Sequence, residues 1–240
     1  MTKINVIIPM AGKGTRFPKD QYLPKPLIDV NGKPMIVRAI ESLDIKDAQW
    51  HFIIRKDNFT NVVKDIISKV VVKPKFYEVE KTTEGPACSA LLFKEYINNN
   101  HELIIANCDQ IMEWNSDLFF HNVRLYDGAV VTYYNDTDKN SYVKLDRNGR
   151  ATKFAEKEVI SNISLNGIHY WKEGRHFVNS AESMIAADDR APTGEFYIAP
   201  TYNYMIKTGK HVGIHHIPNE QHHAVGVPVD LEKFLKYEKK

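Results

Sequence analysis

The residues of this chain best suited to chemistry lie within its first 27 positions. Ile4, Val6, Ile7 and Ile8 form a short β-rich run that stops at Pro9, so Met10 and Ala11 leave a strand end as the start of a loop. The loop carries Gly12 and Gly14, which lack a Cβ, can take positive φ, and so let successive backbone N–H groups converge on an anion. Lys13, Arg16 and Lys25 add cationic side chains close by. Strand, glycine loop and cations together fit a polyphosphate. A Walker A loop is excluded because Gly14 is followed by Thr15 and Arg16. A dinucleotide fingerprint is excluded because Phe17 stands where a third glycine belongs, and Pro18, Pro24 and Pro26 forbid the helix that must open there. The remaining alternative is a basic surface turn with no ligand.

The elements that must position this loop read as alternating helices and strands. Gly32 and Pro34 open an amphipathic helix with Met35, Ile36, Ala39, Ile40 and Leu43 on one face. A strand over 51–54, a helix over 58–68 and a strand over 76–79 follow, then a loop and helix start over 84–92 and a buried strand over 103–106. Beyond these, a strand over 126–134 and a hairpin of 142–145 with 151–154 around Asn148-Gly149 are expected. Helical segments over 179–187 and 195–207, a strand over 211–217, and a last helix over 231–237 capped by Asp230 complete the chain. Such alternation places helices against a largely parallel sheet, whose ligands gather at the strands' carboxyl ends.

MAGKGTRF followed by LPKPLIDVNGKPMI resembles the signature of the nucleotidyltransferases that activate sugar phosphates. Further matches come in the same order: EGPACSA at 84–90, NCDQ at 107–110, FAEK at 154–157, NGIHY at 166–170, GEFYIAP at 194–200 and VGVPVDLEKF at 225–234. The resemblance spans nearly the whole chain. It implies an α/β fold, Rossmann-like and three-layered, of the nucleotidyltransferase (glycosyltransferase-A-like) kind, with a mixed, mostly parallel central sheet. It further implies a single domain over 1–240, with a nucleotide-binding half (1–135) and an acceptor-binding half (136–240).

Residue by residue, the resemblance makes Arg16 and Lys25 catalytic and gives the nucleotide Met10, Ala11, Gly12, Lys13, Gly14, Glu84, Gly85 and Ala87. Many uridylyl- and thymidylyltransferases have Gln five positions before the loop glycine, where this chain has Glu80. An ionised carboxylate only accepts hydrogen bonds, which suits the amino group of cytosine and opposes the carbonyl of uracil or thymine. CTP is therefore the favoured donor, with a solvated strand-end Glu80 as the alternative. Asp109, at the carboxyl end of a strand, matches the family's Mg²⁺ ligand, and the structural alternative is a helix cap. Lys157, Asn166, Gly167 and Glu195 match the acceptor-binding elements. Glu158 replaces the family's usual proline after that lysine, and Ala224 stands where the family places a second metal carboxylate.

The reaction implied is attack by an acceptor phosphate oxygen on the α-phosphorus of the nucleotide, releasing pyrophosphate. A phosphate monoester has its second pKa near ~6, so no protein base is needed. Candidate acceptors are phosphoglutamine, a sugar 1-phosphate and phosphocholine, within capsule or surface-polysaccharide synthesis. Rival readings are a UTP- or dTTP-dependent sugar 1-phosphate pyrophosphorylase, a glycosyltransferase of related architecture, and a non-catalytic nucleotide sensor. The lone carboxylate of NCDQ argues against the Asp-x-Asp metal motif of a glycosyltransferase.

Composition agrees with an enzyme of this type. The 240 residues, 43% hydrophobic, suffice for a sizeable core. No apolar run approaches the ~20 residues of a membrane span, and the amino terminus lacks signal-peptide features, so a cytoplasmic location is expected. A net charge of +2 with scattered basic residues offers no nucleic-acid track. Cys88 and Cys108 lack metal-ligand spacing, and the adjacent pairs His215-His216 and His222-His223 point to opposite faces of a strand. Nothing in the sequence sets an oligomeric state.

Overall fold

The computed structural model describes residues 3–12, 14–18 and 20–239. In chain order the strands are β1 (Ile4–Pro9), β2 (Asp29–Val30), β3 (Lys33–Pro34), β4 (Ala48–Arg55), β5 (Lys75–Val79), β6 (Glu102–Ala106), β7 (Gln110–Met112), β8 (Gly128–Tyr134), β9 (Ser141–Leu145), β10 (Ala151–Glu156), β11 (Ile163–Trp171), β12 (Val212–His216) and β13 (His222–Ala224). The helices are α1 (Met35–Leu43), α2 (Thr60–Val70), α3 (Pro86–Leu91), α4 (Lys94–Ile97), α5 (Ser116–Val123), α6 (Gly174–Ala186), α7 (Thr201–Lys207) and α8 (Pro228–Tyr237). A 9-stranded sheet holds the order β10-β9-β11-β6-β1-β4-β5, with β8 paired to β11 and β12. Strands β1, β4, β5, β6, β8, β9 and β12 point one way and β10 and β11 oppose them. The sheet is thus mixed and mostly parallel, and residues from both halves of the chain build it.

β1 sits in the middle because it is apolar on both faces, as a strand covered on two sides must be. Val6 and Ile8 pack with α1, α2 and α5 through Ile36, Ile40, Val63, Ile67, Phe119 and Val123. Ile7 packs on the other face with α3, α6 and α7 through Ala87, Ala90, Phe177, Ala181, Tyr202 and Met205. The result is three layers. A third apolar cluster joins Phe17, Ile28, Val30 and Met35 to Ile111, Val225, Leu231 and Phe234. It ties the amino-terminal loop to β7 and α8, so the last helix forms a wall beside the first loop. No helix among the described residues is long and apolar enough to cross a membrane.

Two sequence expectations need correction. Residues 195–200 are not helical: the Phe196 N–H donates to the Glu84 carbonyl (2.8 Å) and the Phe196 carbonyl accepts from the Ala87 N–H (3.0 Å), so this backbone is committed to another segment. Asp230 does not cap α8. Pro228, with φ preset for a first turn, starts the helix earlier behind Val227, and Asp230 lies within the first turn, where a negative charge suits the helix dipole. The hairpin of β9 and β10 forms as expected, with Gly149 at φ +77° and the Asp146 carboxylate accepting from Asn148 and Arg150 N–H groups. The sheet's β10 edge is closed by Asn203, whose amide both donates to and accepts from the Phe154 backbone (2.9 and 2.8 Å).

Candidate active site

The carboxyl ends of β1 and β6, together with β7, β13 and α8, surround a cleft of about 1140 Å³. At one end stands Asp109, on the bend between β6 and β7. Its Oδ2 accepts from the Lys25 ammonium and lies 3.9 Å from the Arg16 guanidinium. Residues far apart in the chain therefore meet at one carboxylate, and Arg16 remains largely exposed (66%) while Lys25 is mostly covered (15%). The close approach depends on Gly226: a Cβ there would sit 2.2 Å from Asp109 Oδ2 and 3.4 Å from Lys25 Nζ. Asp109 is further fixed by its carbonyl, which accepts from the Val225 N–H at 2.9 Å. Met10 and Ala11 are buried below the loop, and Gly14 has φ +62°, a conformation that glycine adopts without steric cost. Lys13 lies outside the described residues.

The segment 84–87 is stapled to 196 by the two backbone bonds already described. Gly85, at φ +138°, is essential to that contact, since a Cβ would fall 2.4 Å from the Phe196 carbonyl oxygen. Ala87 is buried, and exposed Glu84 pairs with Arg190 (2.7 Å), whose guanidinium lies over the Phe196 ring. Glu80 is also exposed. Its carboxylate pairs with Lys56 at 2.9 Å at the carboxyl ends of β4 and β5, outside the residues that line the cleft. That hydrogen bond and charge hold the Glu80 carboxyl below its ordinary range.

At the other end of the cleft, Lys157 donates to the Tyr197 hydroxyl (2.8 Å), which donates to Glu195 (2.8 Å). Burial opposes the charge on Lys157, but Tyr197 and the carboxylates of Glu156 and Glu195 outweigh it and raise its pKa. Glu156 is buried and accepts from Ser141, and its own pKa is raised because burial disfavours the ion. Asn166 and Gly167 lie where β11 bulges between Leu165 and His169. Gly167, at φ +94°, presses against Asn107, where a Cβ would meet the amide nitrogen at 2.1 Å. The cleft thus unites Arg16 and Asp109 with Asn166, Gly167 and Glu156, and Lys25 joins them through Asp109.

Residues absent from the sequence reading also line it. Gln110, His169, His222, Tyr133 and Tyr197 all face the cleft. Burial drops the His222 pKa to about 4, aided by His223 and opposed by Asp109, and burial alone drops that of His169 to about 3. Both are neutral at pH 7. The signals available were the places of Gln110 in NCDQ, His169 in NGIHY and Tyr197 in GEFYIAP, and the His222-His223 pair; Tyr133 carries no local mark.

The nucleotidyl transferase family model matches residues 5–210. This chain belongs to that family. Among curated relatives, this chain is 26% identical over 220 residues to the bifunctional protein GlmU of Methanococcus maripaludis, a match covering 88% of this chain and 49% of that protein. It therefore spans about half the length of the curated relatives it matches. Among solved structures, a nucleoside-diphosphate-sugar pyrophosphorylase from Vibrio cholerae superimposes with a TM-score of 0.84 at 24% identity, covering 96% of this chain and 99% of the other. A UDP-glucose pyrophosphorylase solved with UDP-glucose gives 0.76 at 16% identity, covering 100% of both. These structures establish the Rossmann-like, three-layer fold for this chain.

Family members generally use a divalent metal, and the donor set here decides how one would fit. Ala224 pairs in register with Gln110 beside Asp109, so the family's second carboxylate position is spatially right but offers no ligand. Among the described residues, no group of three or more His, Cys, Asp or Glu is arranged for a metal. His223 packs against Phe234 and Tyr237 and lies 3.4 Å from Glu113, so its ring serves the α8 wall. Asp109 alone suits Mg²⁺ carried in by a triphosphate, because that ion keeps waters and asks for one or two protein carboxylates.

Proposed function

We propose that this chain transfers a nucleoside monophosphate, CMP from CTP in the favoured case, to a phosphorylated small molecule with release of pyrophosphate. The observation carrying the reading is the meeting of Arg16, Lys25 and Asp109 at one end of a cleft whose other end presents Glu156, Asn166 and Gly167. An acceptor phosphate is already an anionic nucleophile at neutral pH, so the chain's task is to hold two anions together and offset charge in the transition state. Lys25 would meet the α-phosphate and the incoming phosphate, and exposed Arg16 the departing pyrophosphate. Their common partner Asp109 keeps both cations aimed at the cleft until the phosphates compete for them. Asp109 is also the residue that would hold Mg²⁺, whose chemistry is to offset charge on the triphosphate oxygens. Lys157, steadied by Tyr197, would neutralise the acceptor's phosphate, with Glu195 orienting Tyr197. Gly12, Gly14, Glu84 and Gly85 would bring backbone N–H groups to the nucleotide, and small, buried Ala87 would let the base approach.

Glu80 supports CTP by charge and by its place at the start of the loop leading to Gly85. A uridylyl or thymidylyl reading is favoured by the UDP-glucose bound to the similar pyrophosphorylase and by the Lys56 pairing of Glu80. The acceptors in view are a sugar 1-phosphate, phosphoglutamine and phosphocholine. The reading extends to a single catalytic domain, nucleotide half 1–135 and acceptor half 136–240, acting in the cytoplasm on precursors of capsule or surface polysaccharide. Pyrophosphate release measured with each of CTP, UTP, dTTP and ATP against those acceptors, with and without Mg²⁺, tests it. Release with at least one pair supports the reading, and binding of nucleotide without any release would turn the chain into a sensor.

A further inference from the structure

Gln110 is only 3% exposed, yet neither its Nε2 nor its Oε1 has a hydrogen-bond partner. A buried carboxamide with both ends unpaired loses its water without compensation, and native proteins rarely tolerate this away from a ligand site. The side chain also lines the cleft. β7 pairs antiparallel with β13, and Gln110 stands directly opposite Ala224, so the two side chains share one face of the ribbon. Ala224 carries no polar atom to pair with the amide, so both ends stay unpaired beside the cleft that Gln110 lines. On the same strand face, two residues on, Met112 touches the Asn166 amide at 3.5 Å. Gln110 therefore stands between Asp109, where the phosphates converge, and the Asn166-Gly167 turn.

Resting on the transferase reading, we propose that Gln110 is a specificity-determining residue for the acceptor, holding through its carboxamide a neutral group that offers a donor and an acceptor together: a hydroxyl or an amide near the acceptor's phosphate. The argument is one of pairing. A phosphate oxygen only accepts and would leave Oε1 unpaired, and a quaternary ammonium offers no N–H or O–H at all, leaving both ends unpaired. A hydroxyl or an amide satisfies both. The Asn166 amide, in contact with Met112 on the same strand face, is likewise an uncharged donor and acceptor. The class thus covers sugar 1-phosphates and phosphoglutamine and excludes phosphocholine.

The test uses Gln110→Met, which keeps the volume of an unbranched side chain and removes both polar atoms. Pyrophosphate release is measured with CTP and UTP against glucose 1-phosphate, galactose 1-phosphate, mannose 1-phosphate, phosphoglutamine and phosphocholine. Wild-type turnover should occur within the first four, and which of them works separates the hydroxyl source from the amide source. In Gln110→Met the KM of the working acceptor should rise about tenfold, the scale of a lost hydrogen bond, with the nucleotide KM unchanged. The melting temperature of the ligand-free variant should hold or rise, since an unpaired buried amide has been removed. A fallen melting temperature with an unchanged acceptor KM would make Gln110 a structural residue and overturn the proposal, as would preferred use of phosphocholine. Should wild type release no pyrophosphate with any pair, the transferase reading fails by itself. Calorimetry of the same acceptors with Mg-CTP present then decides on Gln110: binding weakened about tenfold by the variant upholds it, and absent or unaltered binding overturns it.

Discussion

At the end of the cleft proposed for the nucleotide, Asp109 accepts from Lys25 and stands 3.9 Å from Arg16, whereas toward the end proposed for the acceptor Gln110 and His169 keep buried atoms with no partner. The first region is made of loops at the carboxyl ends of parallel strands, and its groups are charged and mutually satisfied. The second is made of β11 and the β7–β13 ribbon, where the uncharged Gln110, Asn166 and His169 are held in place by the ladders beside the Lys157–Tyr197–Glu195 chain. A polyphosphate can displace one ion pair for another with little rearrangement. A small acceptor would be recognised by what it pairs, which is the role proposed for the unpaired atoms. Paired charges at one end and unpaired uncharged groups toward the other would divide affinity from selectivity.

The largest effects should come from breaking the charged end. Lys25→Ala and Arg16→Ala should each lower kcat by about 10²-fold or more, the loss expected for one charge-stabilising donor, and Asp109→Ala should abolish Mg²⁺-dependent turnover. Steady-state pyrophosphate release with a circular-dichroism check of folding measures this. Near-normal turnover in all three variants would remove the loop from the chemistry.

The neutral end should reveal itself in acid. His169 and His222 have folded-state pKa values of about 3 and about 4, and His51, buried beside Asn5, also about 4, against an ordinary 6.5. From about pH 6.5 down to 4 the unfolded chain takes up protons that the folded chain refuses. Stability is therefore complete above pH 6.5 and is lost on acidification, at about 1.4 kcal/mol per pH unit for each histidine. Denaturant midpoints at pH 7 and pH 5 read this out. His169→Phe preserves a ring beside Trp171 and Tyr202 and should flatten the slope by up to about one proton. Equal slopes in the two proteins would show that His169 accepts its proton in the folded state.

Gly226 tests whether the charged end needs its tight geometry. Gly226→Ala places a methyl 2.2 Å from Asp109 Oδ2, so the carboxylate must turn away from Lys25. A misplacement of this size should lower kcat about tenfold while the melting temperature changes little. An unaltered kcat would show that the Lys25–Asp109 contact matters to the resting protein alone.

The charged end was far more legible in sequence than the neutral end, and the reason is physical. A phosphate loop needs glycines and cations at short spacing, so MAGKGTRF and LPKPL declare themselves locally, and the 3.6-residue period of α1 marks the helix behind them. The acceptor end is assembled by register. Gln110 meets Ala224, and β11 delivers Asn166 and His169, only once strands distant in sequence have paired. The same cause misplaced the helix over 195–200, because Phe196 serves the backbone of Glu84 and Ala87, and no local pattern records that bond. Asp230 was read as a cap although Pro228 already fixed the helix start.

The smallest effect, and the sharpest test of how far the charged end reaches, concerns Glu80. Its carboxylate rests on Lys56 in open solvent, where an ion pair is weakly held and readily exchanged. If a nucleotide draws Glu80 away to accept from the cytosine amino group, Glu80→Gln supplies a donor for the uracil carbonyl while still accepting from cytosine. The ratio of kcat/KM for CTP over UTP should then fall by about tenfold, mostly through better use of UTP. Lys56→Met supplies the complementary arm, because freeing Glu80 from its partner should raise the same ratio. Opposite movements in the two variants place the carboxylate at the base. A ratio unmoved in both would leave Glu80 a surface charge, with the base read by backbone groups around Gly85, whose close packing on Phe196 fixes them whatever the side chain at 80.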